Sequence, residues 1–392
     1  MNNNGISEQL EKQLEEARSI LARPFSLGSG ANLLLTQTKN SITELKKMDT
    51  LLTEIGKTTN LTAKELESLG NSAFDAAGRY AKSADSYLES AKTMYRAGYP
   101  NADQMSGLSV LAQAAGNMDT GTADSYLTAS DAAYSLKGNI DALNEVLDGQ
   151  VHIAGNTAVS MTDMADATTE AADLAAKSGV KMGELSALIA TAVSQTHKSG
   201  TETGDALNTL FTNLQDTSAD SVRDALSSVN ISMTEMADGS GQLKSPIALL
   251  GELADVFLRL DENDTRRTDL LSAVGGSKHA DTLSALLNNW SSYGEMLSLY
   301  ESGIGSAAAA AEQSADSWEG SLNRLSATWT ETIGNITDSG AFSTAIEGLN
   351  GLLSLLNKLG SAGTIGLGAG LFAGIKNAGR VTWNPSYQIC LQ

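Results

Sequence analysis

Residues 250–290 read LGELADVFLRLDENDTRRTDLLSAVGGSKHADTLSALLNNW, and this stretch admits one local architecture: helix, double-glycine break, helix. Leu250, Leu253, Ala254, Phe257 and Leu260 recur at the three- and four-residue spacing that lines one helical face. Leu283, Leu286 and Leu287 repeat that spacing beyond Gly275-Gly276. The stretch holds no nucleophile, metal cluster or phosphate loop.

The rest of the chain follows the same grammar. Thr62-Ala63-Lys64-Glu65 is a capping box with Leu61 and Leu66 in staple positions, and it predicts a helix running to about Ala97, closed by Gly98-Tyr99-Pro100. Further helices are expected over 101–115, 122–136, 139–154, 160–178, 180–198, 202–214 and 220–229, most of them stopped by glycine. A loop or short turn follows, within which Asn230-Ile231-Ser232 offers a short strand. Ser245-Pro246 places a cap directly before a proline at the first helical position. Ile6 to Arg23 and roughly Ala31 to Ile55 read as helices on either side of a Gly28-Ser29-Gly30 joint, and one long helix is expected from Ala307 to about Ile336.

These patterns define the fold class as all-α, a string of roughly a dozen amphipathic helices ending in an apolar glycine-rich segment. Aromatic residues are only 5% of the chain against 41% hydrophobic in all, so much of the apolar content is Ala and Leu, which suits closely packed helices. No internal repeat of fixed period stands out, so a simple solenoid is not supported. The expected divisions are an N-terminal helix and Gly-Ser joint over 1–39, a helical core over 40–340, an apolar helical segment over 341–380 and an irregular tail over 381–392.

Residues 360–375, GSAGTIGLGAGLFAGI, carry no charge. Gly366, Gly370 and Gly374 fall four apart and share one helical face, the small-xxx-small arrangement of close-packed membrane helices. Three readings stay open here: a membrane-active segment, a buried or oligomer-forming helix, and an apolar linker. The final VTWNPSYQICLQ has no helical period and reads as a short tail or the product of a frame change.

Chemistry is hard to place on this sequence. His152, His197 and His279 have no metal-ligand spacing among themselves or with Cys390. The acidic joint Asp261, Glu262 and Asp264 lacks the alternating ligands and glycine of an EF-hand loop. Gly368 to Ala373 matches G-x-G-x-x-A only nominally, with no preceding strand. No P-loop, G-x-S-x-G elbow or HExxH is present. No catalytic, cofactor or metal residues are assigned, and the reading is of a non-enzyme. The formal net charge of −20 disfavours sequence-specific nucleic-acid binding. A sole cysteine fits a reducing compartment, and the N-terminus lacks the apolar core of a secretory signal.

As a string of residues, the 250–290 stretch resembles the core of phage tail tape-measure proteins. The matching positions are Leu250, Glu252, Leu253, Ala254, Phe257 and Leu260, then Gly275, Gly276, Lys278, Ala280, Leu283, Ser284, Ala285, Leu286, Leu287 and Asn289. Met48 to Ile55 is similar to that family's opening helix, Arg96 to Tyr99 to one of its joints, and Ser317 to Leu325 before Trp329 to a later helix. The pieces occur in the family's order over roughly residues 40–375. The resemblance implies a structural protein of the virion tail lumen, made in the host bacterial cytoplasm, that sets tail length and leaves ahead of the DNA. It implies tail tube protein, tail assembly chaperones and tail-tip proteins as partners, with self-association and contact with the host membrane during ejection. Members usually continue well beyond this core, so the chain reads as a fragment, a prophage remnant or a compact variant. The alternative from the residues alone is a membrane-active helical protein or toxin using Gly366, Gly370 and Gly374.

Overall fold

The computed structural model describes residues 43–316, apart from 45 and 236–240, together with residue 323. The described chain is helical almost throughout, as the periodicity predicts. The expected N-terminal helix, the stretch beyond 316 and the glycine face at Gly366, Gly370 and Gly374 lie outside the described residues.

Helix α1 covers 46–58, with 43 and 44 also helical. It is followed by α2 (Ala63–Tyr80), α3 (Ala84–Arg96), α4 (Ala102–Gly116), α5 (Thr120–Tyr134), α6 (Ile140–Asn156), α7 (Met161–Lys177), α8 (Met182–Thr196), α9 (Gly200–Gln215) and α10 (Asp220–Ser228). A two-stranded antiparallel ribbon, β1 (Thr234–Glu235) and β2 (Gln242–Leu243), precedes α11 (Pro246–Phe257), α12 (Thr265–Asn288), α13 (Trp290–Glu301) and α14 (Ser306–Asp316).

Local chemistry sets most helix starts. Thr62 Oγ1 accepts from the Glu65 amide at 3.3 Å, and the Glu65 carboxylate accepts from the Thr62 amide at 2.7 Å. Both bonds satisfy donors that a helix N-terminus leaves without an internal partner. Asp119, Asn139, Ser160, Ser199 and Ser245 each accept from the amide three residues on, and Ser199 with Glu202 repeats the reciprocal box. Asn101 stands in a cap position, but its side-chain amide instead donates to the Gly138 carbonyl at 2.9 Å, tying the start of α4 to the loop after α5.

Two expectations are corrected. The helix expected over 63–97 is two helices, because the chain turns left-handed at Ala81 (φ 54°) and restarts at Ser83. Asn230-Ile231-Ser232 is not a strand. The Ile231 amide donates to the Leu226 carbonyl to close α10, and pairing begins only at Thr234, opposite Leu243.

The helices fold back on one another rather than running end to end. Helix α7 lies between α5, α8 and α9, and α12 crosses α8, α9, α10 and α11. Helices α13 and α14 return to the first half of the chain: α13 packs on α6 and α8, and α14 on α4 and α6. One continuous core runs from Met94 to Ala311. Its larger fully buried side chains include Tyr126, Phe211 and Phe257, and burying either phenylalanine contributes about 1.5–3 kcal/mol. A smaller core gathers Met48, Leu51 and Ile55 of α1 with Leu69, Ala73, Tyr87, Leu88 and Val110. Tyr80 and Tyr95 pack against both cores.

Small residues let the central helices approach closely. Ala165, Ala167, Ala171, Ala172 and Ala175 of α7 are fully buried. Gly200 and Gly204 of α9 sit on that helix so tightly that a Cβ at Gly200 would lie 2.2 Å from the Asp163 carbonyl oxygen, and one at Gly204 would lie 2.6 Å from the Glu170 Cβ.

Candidate functional site

The 250–290 stretch folds as one unit, and its matched residues act as architecture. Leu250, Leu253, Ala254 and Phe257 of α11 are buried, as are Leu283, Leu286 and Leu287 of α12. Gly276 breaks α12 with φ 63° and ψ −178°, a backbone region that only glycine enters readily. Beside it, a Cβ on Gly275 would lie 2.9 Å from the Ala280 Cα, so the chain can fold this tightly only without a side chain there. Asn213 of α9 donates to the Val274 carbonyl at 2.9 Å, just before the break. Lys278, just after it, pairs with Asp205 of α9 and holds that carboxyl below its usual range. The Arg267 guanidinium lies 3.9 Å from the Phe257 ring centroid and donates to the Phe257 and Leu260 carbonyls. It closes the joint that contains Asp261, Glu262 and Asp264. Asp264 caps α12 and is held at about 2 by its bonds from Arg266.

The three histidines are dispersed. His152 Nδ1 lies 3.0 Å from Ser306 Oγ, His197 forms the left-handed end of α8, and His279 is buried with Nε2 3.4 Å from Asp205 Oδ2. Among the described residues, no group of three or more His, Cys, Asp or Glu side chains is placed to hold a metal ion. Nor is any helix among them long and apolar enough to cross a membrane.

Acidic surface dominates one part of the molecule. From residue 97 to 176, across α4 to α7, Lys137 is the only lysine or arginine. An open groove of about 430 Å³ lies on this face, lined by Asp119, Asp166 and Glu170 with the hydroxyls of Thr122, Ser125, Thr169 and Thr201. Partial burial, with Asp163 and Asp119 nearby, pushes the Asp166 carboxyl above its usual range. Such a face repels phosphate backbones and receives cationic surfaces.

Sequence reading places acidic residues on solvated helix faces, yet three carboxylates of this region are buried: Asp124, Asp131 and Asp148. Asp131 accepts from the Tyr99 hydroxyl and the Gly138 amide, both at 2.7 Å. Asp124 Oδ1 accepts from the Ser90 hydroxyl at 2.5 Å and the Ser109 hydroxyl at 2.7 Å. Burial lifts the Asp124 carboxyl above its ordinary value, and the hydroxyl bonds pull it partly back. The folded state therefore holds this proton more tightly than the unfolded chain does. The group's contribution to stability is fully present below the ordinary carboxylate value and falls as pH rises through the raised one. Asp124→Asn keeps an acceptor and removes the charge, so it is expected to be at least as stable as the parent at pH 7. That advantage should disappear below the ordinary carboxylate range. Asp124→Ala leaves the Ser90 hydroxyl donating to Ser109 Oγ and the Ser109 hydroxyl without its acceptor, and is expected to cost about 1–3 kcal/mol. Urea unfolding of both variants at pH 3 and pH 7 checks the ordering. An Asn variant weaker than the parent at pH 7 would contradict it.

No solved structure matches the chain. Residues 70–276, more than half of the 392, match the phage-related minor tail protein family. The matched segment runs from α2 to the glycine break of α12, and so takes in the acidic face and the close crossing of α7 and α9. The chain belongs to the phage-related minor tail protein family, whose place is structural, in the virion tail.

Proposed function

We propose that this tail protein is a tape measure: it occupies the tail lumen, sets tail length during assembly in the bacterial cytoplasm, and leaves ahead of the DNA. The observation that supports this reading most is the helix–glycine–helix unit at 250–290. There the residues that resemble the tape-measure core serve as buried contacts and as the turn itself. The role is non-enzymatic. Its partners are the tail tube protein, assembly chaperones and tail-tip proteins, together with further copies of the chain. The acidic face of α4 to α7 suits a protein that shares a channel with DNA without gripping it.

A fully helical chain of 392 residues would reach roughly 590 Å at about 1.5 Å per residue. The described body is folded on itself. A ruler of that reach requires the body to open, or requires length to be set by chain outside residues 43–316. Inserting a helical segment of about 40 residues after Asp316 tests the role while leaving the described body intact. Phage carrying the insertion are expected to form tails longer by up to about 60 Å in electron micrographs. Tails of unchanged length, with the variant protein incorporated, would exclude a tape measure and leave a minor tail component of another kind.

A further inference from the structure

The two helices that close the body bury little of their own length. Helix α13 buries Tyr293 alone, and α14 buries only the alanines 307, 311 and 315. Of the helices beneath them, α8 buries most of its length and α6 about half. Their other apolar contacts come from half-buried side chains, among them Trp290, Leu297 and Tyr300, and a small set of specific contacts completes the fastening.

The first of these is a key in a slot. The Tyr300 ring lies between two glycines on different helices. A Cβ at Gly149 of α6 would stand 2.5 Å from its Cδ2 and 2.6 Å from its Cε2, while one at Gly183 of α8 would stand 2.9 Å from Cδ1 and 3.0 Å from Cε1. Each glycine thus takes one edge of the ring.

The second is a borrowed cap. The buried Asp148 carboxylate accepts from the Gly305 amide at 2.8 Å and the Ala307 amide at 2.9 Å, at the start of α14. Two donors that the helix end would leave without a partner are satisfied by a side chain from a distant helix. Gly303 fits against the Asp148 backbone, where a Cβ would meet its carbonyl oxygen at 2.7 Å. At the other end of the pair, α13 joins α12 directly at Asn289, whose φ of −122° and ψ of 34° are not helical. The slot and the capping carboxylate lie within the family-matched segment 70–276, whereas α13 and α14 lie outside it.

We propose that residues 290–316 form a latch, which leaves and re-seats on the face of α4, α6 and α8 as a unit while the body beneath stays folded. Asn289 is the hinge, Tyr300 the key, and Asp148 the catch. Segments with few buried apolar contacts open at lower cost than the core they cover. The latch stands whether or not the chain sets tail length.

Hydrogen exchange on the full chain tests this with Gly149→Ala. The added methyl occupies the position of the Tyr300 ring edge. Alanine is the better helix former, so α6 is not itself weakened. Gly155→Ala, on the same helix with nothing within 4 Å of its Cβ, is the control. In Gly149→Ala, peptides from 290–316 are expected to exchange at least ten-fold faster than in the parent, while peptides from 140–156 and 182–215 keep parental rates. The control should leave all three unchanged. Loss of protection in 140–215 together with 290–316 would show that the two helices are integral to the body, and would overturn the latch. Unchanged exchange in 290–316 would overturn it as well, because the slot would not be what holds them.

Discussion

Gly200→Val is expected to cost about 3 kcal/mol, the upper end of what overpacking usually exacts. The glycine is fully buried at the start of α9, and its amide donates to Asp163 Oδ1 at 2.9 Å. A Cβ there would meet the Asp163 carbonyl oxygen at 2.2 Å and the carbonyl carbon at 2.8 Å. These are backbone atoms of α7, so no rotamer change relieves the clash. The two helices must separate, and the alanines of α7 then lose contact along the crossing. Gly107→Ala makes the opposite test. Gly107 is a helical residue of α4 with nothing within 4 Å of its Cβ, so alanine there should stabilise by roughly 0.5–1 kcal/mol. Guanidinium unfolding of the two variants beside the parent should move the midpoint in opposite directions. Equal midpoints would mean that the α7–α9 crossing is not the close contact described.

The crossing also shows where sequence reading succeeds and where it stops. Gly200 and Gly204 form the same small-xxx-small spacing as Gly366, Gly370 and Gly374. The pattern draws attention in the uncharged stretch and passes unnoticed in α9, where polar neighbours conceal it. Helix ends were legible because their causes are local. The Thr62–Glu65 box, the Ser245-Pro246 start and the left-handed glycines 98, 138 and 179 each involve residues a few positions apart. The break at Ala81 was missed because no glycine or proline marks it. Ser83 before Asp85 in the next helix's first turn was the available signal. Asp124, Asp131 and Asp148 looked like ordinary surface acids because their bonding partners come from other helices. For Asp148 those partners lie 157 and 159 positions away, and no local pattern announces such a pairing. The slot at Gly149 and Gly183 was concealed for the same reason. An isolated glycine inside a helical pattern signals only that something approaches closely, and not what approaches.

Phe257→Ala is expected to destabilise the fold by about 3–5 kcal/mol, the usual cost of emptying a buried phenylalanine site. The ring is 1% exposed at the end of α11, in the core shared with α12. Its removal leaves a cavity under Arg267 and takes away the face on which that guanidinium rests. Native proteins hold a margin of only about 5–15 kcal/mol, so this single change consumes a large share of it. Arg267→Ala removes the same stacking contact and the bonds to the Phe257 and Leu260 carbonyls, but opens no core cavity. Its expected cost is smaller, about 1–2 kcal/mol. The double variant should cost less than the two singles together by roughly 0.5–1 kcal/mol, because the stacking is lost only once. Strict additivity would show that the cation is not bound to the ring. The comparison also bears on why residues 250–290 resemble a family core. If Phe257 and its neighbours act through packing, the Phe257→Ala protein should lose tail assembly in parallel with its folded fraction as temperature rises. A variant that stays folded yet fails to assemble would instead make this face a contact for another tail protein.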